Sequence, residues 1–146
     1  MTKTISLVLL LFLLGCSTPV VVTVVVTPEP PATNTDFIYA AYDCNSSLLA
    51  AADTPESGLC GAWKAEALLS LDRLERCWAK VPNPPDPYLK QSNADIKQYI
   101  TLKRESLAEL TRYCNGNGSL EVSGQYLSRA TDALTSATEN LSKYTP

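Results

Sequence analysis

The stretch SLEVSGQYLSRATDALTSATENLSKY, residues 119–144, carries Leu120, Leu127, Leu134 and Leu141 at intervals of seven. Ala130, Ala137 and Tyr144 form a second apolar row beside them. Residues recurring at three- and four-residue steps share one side of an α-helix, so the spacing predicts a helix from Ser119 to Tyr144. Its leucine stripe is expected to face the core of a bundle, and a coiled-coil seam between two chains is the rival reading. Gly124 weakens the first turn by up to ~1 kcal/mol relative to alanine.

Working outward from that helix, Asn115-Gly116-Asn117-Gly118 is a turn signal, since glycine takes positive φ at a helix end without penalty. Before it, Ile96, Tyr99, Ile100, Lys103, Leu107 and Leu110 predict a helix over about Tyr88–Tyr113, inward or flanking at those positions. The run Pro82-Asn83-Pro84-Pro85-Asp86-Pro87 halts the preceding helix, because proline breaks the hydrogen-bond ladder. That preceding helix has Thr54 and Pro55 in N-cap and N1 positions and a stripe of Cys60, Trp63, Ala67, Leu71, Leu74 and Trp78. A first helix over Asp36–Ala52 aligns Phe37, Ala41, Cys44, Leu48 and Ala52. Four amphipathic helices joined by short turns predict an all-α fold over residues 36–146, an antiparallel four-helix up-down bundle.

The N-terminus is of another kind. Lys3 precedes an apolar run from Ile5 to Leu14, followed by Gly15 and Cys16. A ten-residue helix spans only about 15 Å, half of the ~30 Å hydrocarbon core of a bilayer. With its small residue before the cysteine, the run reads as an export signal over residues 1–15. Leu13-Leu14-Gly15-Cys16 resembles the lipobox of bacterial lipoproteins. That resemblance implies cleavage before Cys16, a diacylglycerol on its thiol, and a membrane partner reached through the acylated cysteine. Two or three acyl chains make such an anchor persistent, at ~0.8 kcal/mol per buried CH₂. Ser17 stands where aspartate commonly retains a lipoprotein at the inner membrane, so the resemblance implies outer-membrane sorting in a diderm host. In other hosts it implies the outer face of the cytoplasmic membrane. The rival is an uncleaved anchor continuing through Val20–Val26, which Pro19 interrupts. Residues 16–35, with a tandem Val-Val-Val-Thr repeat and then Pro28-Glu29-Pro30-Pro31, read as an extended tether reaching roughly 60 Å at ~3.1 Å per residue.

Loss of residues 1–15 removes Lys3 alone among the charges and leaves eleven basic against fifteen acidic side chains. No basic block occurs, so nucleic acid is an unsupported partner. Histidine is absent from the sequence, which removes the commonest general base and metal ligand. No catalytic residues, cofactor or metal are expected.

After Cys16 the cysteines are Cys44, Cys60, Cys77 and Cys114, at gaps of 16, 17 and 37 positions. Metal sites use close pairs, whereas an even count in an exported chain reads as two disulfides. Free thiols are the other alternative. If Cys60 and Cys77 share one helix they lie about 25 Å apart and cannot join, since bridged Cα atoms sit within ~7 Å. Antiparallel packing brings Cys60 beside Cys114, leaving Cys44 for Cys77. The second pairing requires the first helix to tilt or end early, because Cys44 is nine residues below the first turn and Cys77 about twenty.

Among other candidates, Asp72, Arg73, Glu75 and Arg76 read as a solvated face with an i,i+4 pair, and Arg104-Glu105 with Glu109-Arg112 reads the same way. Tyr88, Tyr39 and Tyr42 are candidates for an exposed binding surface, Tyr88 foremost because it adjoins the rigid proline run. Trp63, Trp78 and Tyr99 are expected in the core, or as the lining of an interhelical pocket. The function expected is a non-enzymatic module that engages an envelope protein. A small-ligand carrier and an inhibitor of a lytic enzyme are the alternatives.

Overall fold

A computed structural model of the chain describes residues 30–52 and 58–144. The described residues form helices α1 (Asn34–Asp43), α2 (Asn45–Ala52), α3 (Trp63–Trp78), α4 (Pro87–Cys114) and α5 (Leu120–Ser142), with no strand among them. The chain divides between Pro31 and Ala32, and these helices all belong to the unit Ala32–Pro146. Cys16, nearly all of the tether, and the proposed caps Thr54 and Pro55 lie outside the described residues.

α4, about 42 Å long at 1.5 Å per residue, is the helix on which α3 and α5 both pack. Asp86 caps it by accepting from the Tyr88 and Leu89 amides, and Pro87 occupies its first position, where the missing N–H costs nothing. At the far end the Gly116 and Asn117 amides donate back to the Tyr113 and Arg112 carbonyls. This closing pattern needs a left-handed residue, and Gly116 supplies it with φ of 81°. Gly118 is needed for a different reason: a Cβ there would stand 2.3 Å from the Tyr113 amide nitrogen.

The α4–α5 pair is antiparallel. Ser92 donates to the Ala137 carbonyl at one end, while Ser106 and Ser123 exchange hydroxyl-to-carbonyl bonds of 2.9 Å at the other. The buried side of α5 consists of Ser123, Ala130, Ala133 and Ala137, all small enough for the two backbones to come close. α3 also runs antiparallel to α4: Trp78 donates to Asn93 near the start of α4, Arg104 meets Asp72 and Glu75 midway, and Cys60 is bonded to Cys114 at the end.

Two expectations need correction. The first helix is broken: α1 ends at Asp43, and Cys44 sits between α1 and α2 with its Cα 5.8 Å from that of Cys77. The apolar phase continues through Cys44, so periodicity alone does not reveal a break that falls on the residue fixed covalently to α3. The other correction is the leucine stripe of α5. Leu120 and Leu127 are 39% and 37% exposed, and only Leu134 and Leu141 pack against the core. A seven-residue repeat drifts by ~20° per heptad on a straight helix, so the stripe turns inward only toward the C-terminus. The inner face belongs instead to the small-residue row.

Candidate functional site

The ring cluster is built from the bottom of the fold. Phe37 of α1 is fully buried and meets Trp78 of α3 edge to face, centroids 6.3 Å apart. The Trp78 indole N–H donates to Asn93, whose amide donates in turn to Asn83 of the proline run. The Tyr99 hydroxyl donates to the Ala51 carbonyl at 2.8 Å, tying α4 to the end of α2. Trp63 is half-buried, with its N–H on the Gly58 carbonyl. The structure thus places Trp78 and Tyr99 in the core and occupies their polar atoms with intramolecular bonds.

Burial pushes the Tyr99 phenol up to about 12. A folded value above the ordinary one means that its contribution to stability is complete below pH 10 and is lost as pH rises from 10 to 12. Tyr99→Phe is expected to cost about 1–2 kcal/mol at pH 7 by leaving a buried carbonyl unpaired. That difference from wild type should shrink toward zero at pH 12, as measured by urea unfolding at the two pH values.

A second cluster closes the base. The Asn34 side chain accepts from the Asp86 amide, and the Asp86 carboxylate accepts from the Tyr144 hydroxyl at 2.6 Å. One residue therefore links three elements: the Asp86 amide reaches the start of α1, and its carboxylate joins the start of α4 to Tyr144 just beyond α5. The Tyr144 bond is the main reason that Asp86 titrates below its ordinary value, and the same bond pushes Tyr144 up to about 12. Beside it the Lys143 ammonium stands 4.5 Å over the Tyr88 ring.

Of the tyrosines considered as a binding surface, Tyr39 and Tyr42 are 70% and 74% exposed on α1, and Tyr88 is exposed at the base beneath Lys143. They do not form one cluster of bonded groups. The α3 charge run lies on a solvated face as expected, but its partner differs: Asp72 and Glu75 pair with Arg104 of α4 at 2.5 and 2.6 Å, and Asp72 heads the causes that raise the guanidinium further. Glu109 is buried, pairs with Arg112 and accepts from the Ser119 amide at 2.7 Å, so it caps α5 from α4. Sequence spacing within one helix cannot disclose partners supplied by another.

Both disulfides join at bonding distance in the pairing reasoned from the sequence, Cys60–Cys114 and Cys44–Cys77. Cys60 lies ahead of α3 rather than on it, so it does not share a helix with Cys77 as expected. Cys44 is buried, while Cys60 is exposed. Such bridges belong to an oxidising, extracytoplasmic compartment. Among the described residues no helix is long and apolar enough to cross a membrane, and no group of histidine, cysteine and acidic side chains could hold a metal.

α3 and α4 carry eight of the chain's twelve lysines and arginines together with six aspartates and glutamates. α1 and α2 carry Asp36 and Asp43 and no basic residue, and α5 carries Glu121, Asp132 and Glu139 against Arg129 alone. No protein-family model, curated protein or solved structure matches the chain.

Proposed function

We propose that this chain is a lipid-anchored, extracytoplasmic module that binds another envelope protein and performs no catalysis. The observation that carries the reading is the pair of disulfides, which fits an oxidising compartment reached by export. Leu13-Leu14-Gly15-Cys16 supports an acyl anchor on Cys16 as the means of attachment, with the Val/Thr/Pro segment as tether. The folded part acts as a four-arm antiparallel up-down bundle in which α1 and α2 form one bent arm. The absence of histidine and the commitment of the core's polar rings to internal bonds favour a surface role over chemistry.

Cys16→Ser tests the anchor. Intact mass measurement of the wild type from membranes is expected to show an acylated chain beginning at Cys16 with two fewer proton pairs than the reduced form. The Cys16→Ser chain should lose both the acyl mass and retention with membranes. Normal processing and membrane retention of Cys16→Ser would sink the anchor.

A further inference from the structure

The turn between α4 and α5 holds both asparagine–glycine pairs of the chain, Asn115-Gly116 and Asn117-Gly118. A glycine after asparagine leaves the following backbone nitrogen unobstructed, and its conformational freedom lets that nitrogen swing onto the side-chain carbonyl. Both asparagines are exposed, and neither side chain makes a hydrogen bond among the described residues. Exposure therefore does not separate the two pairs. Their backbones do.

The Gly116 amide donates to the Tyr113 carbonyl at 2.9 Å, and Asn115 caps α4 with its own amide on the Thr111 and Arg112 carbonyls. Gly116 is also the left-handed residue that closes the helix. Its nitrogen reaches the Asn115 side chain only after that closure is undone. Asn117 is placed differently. Its amide rests on the Arg112 carbonyl, but the next amide, that of Gly118, has no acceptor among the described residues.

We propose that Asn117 is a site of spontaneous deamidation in the folded protein, with water as the co-reactant, and that Asn115 is protected. The Gly118 nitrogen attacks Cγ of Asn117. A C–N bond forms, the Cγ–Nδ2 bond breaks, and the Gly118 proton departs with Nδ2 as ammonia. Water then adds to either carbonyl of the cyclic imide and reopens it as aspartate or isoaspartate. The net change consumes one water and exchanges the amide for a carboxylic acid, which ionises.

The isoaspartyl product strains this turn. Its chain runs through the side-chain carbons, which inserts an extra backbone atom ahead of Gly118. Gly118 has no room to absorb it, since a Cβ there would already stand 2.3 Å from the Tyr113 nitrogen and 2.7 Å from the Arg112 carbonyl carbon. The displacement passes to Ser119, whose amide donates to Glu109 at 2.7 Å and whose hydroxyl accepts from the Val122 amide. Isoaspartate at this position therefore loosens the start of α5.

The test follows the purified, disulfide-bonded chain in warm neutral buffer, beside the reduced and denatured chain, by peptide mapping that separates isoaspartate from aspartate. In the folded chain Asn117 should convert at least about tenfold faster than Asn115, which must give up a hydrogen bond and a helix cap before attack. In the denatured chain the two should convert at similar rates. Asn117→Gln should remove nearly all of the folded-state conversion, and Asn115→Gln should leave it unchanged. Hydrogen exchange at the Ser119 and Val122 amides should be faster in the isoaspartyl fraction than in the unmodified chain. Conversion of Asn115 as fast as Asn117, a site ratio the same in folded and denatured chains, or a folded chain inert at both positions would overturn the site. Unchanged exchange at Ser119 and Val122 in the isoaspartyl fraction would overturn the loosening of α5.

Discussion

Phe37→Ala is expected to destabilise the folded unit by about 3–5 kcal/mol, the range for removing a fully buried aromatic side chain. Phe37 has no exposed surface and abuts Trp78 at the point where α1 meets α3. α1 contributes Phe37 as its one fully buried residue, so the helix has little else to hold it. A loss of this size would lower the thermal midpoint by roughly 10–20 °C in a domain of this length. Tyr39→Ala, two residues along and exposed, should stay within about 0.5 kcal/mol of wild type. Calorimetry of the two variants checks the contrast. Similar midpoints would show that α1 is not seated as described.

Removal of the inner bridge is the other large effect. For a loop of 33 residues the chain-entropy relation assigns about 3–4 kcal/mol to Cys44–Cys77. Cys44 is also buried, so a Cys44→Ala/Cys77→Ala double variant loses packing as well as the crosslink. Denaturant unfolding of that variant should give a midpoint far below wild type. The outer bridge spans 54 residues and offers a similar entropic contribution, but Cys60 stands exposed ahead of α3. Mild reductant should therefore open Cys60–Cys114 first, with Cys44–Cys77 opening only as the fold does. Thiol alkylation followed by peptide mapping distinguishes the order, and simultaneous opening would contradict it.

Features with a short-range physical cause were readable from the residues. Four prolines between Pro82 and Pro87 end one helix and start the next, and Asn115–Gly118 turns α4 into α5. The cysteine pairing followed from helix lengths and antiparallel packing, including the need for the first helix to tilt or end early, and α1 ends at Asp43. What stayed hidden depends on partners from other elements. Leucine spacing on α5 gave no sign that Ser123, Ala130 and Ala137, also seven apart, would take the inner face through close backbone approach. Asp72 reads from spacing as the i,i+4 partner of Arg76, whereas its partner, shared with Glu75, is Arg104 of α4. Tyr39 and Tyr42 were identifiable as rings with polar ends, and both stand exposed on α1.

The position of Cys44 has a mechanical meaning. Load applied to the chain ahead of Thr33 would first peel α1, shearing the Asn34–Asp86 contact and withdrawing Phe37. Ten helical residues release roughly 20 Å when drawn out straight. Beyond that point the sulfur link to α3 is a covalent stop, so α1 is a short extensible slack and the loop enclosed between Cys44 and Cys77 is shielded from the pull.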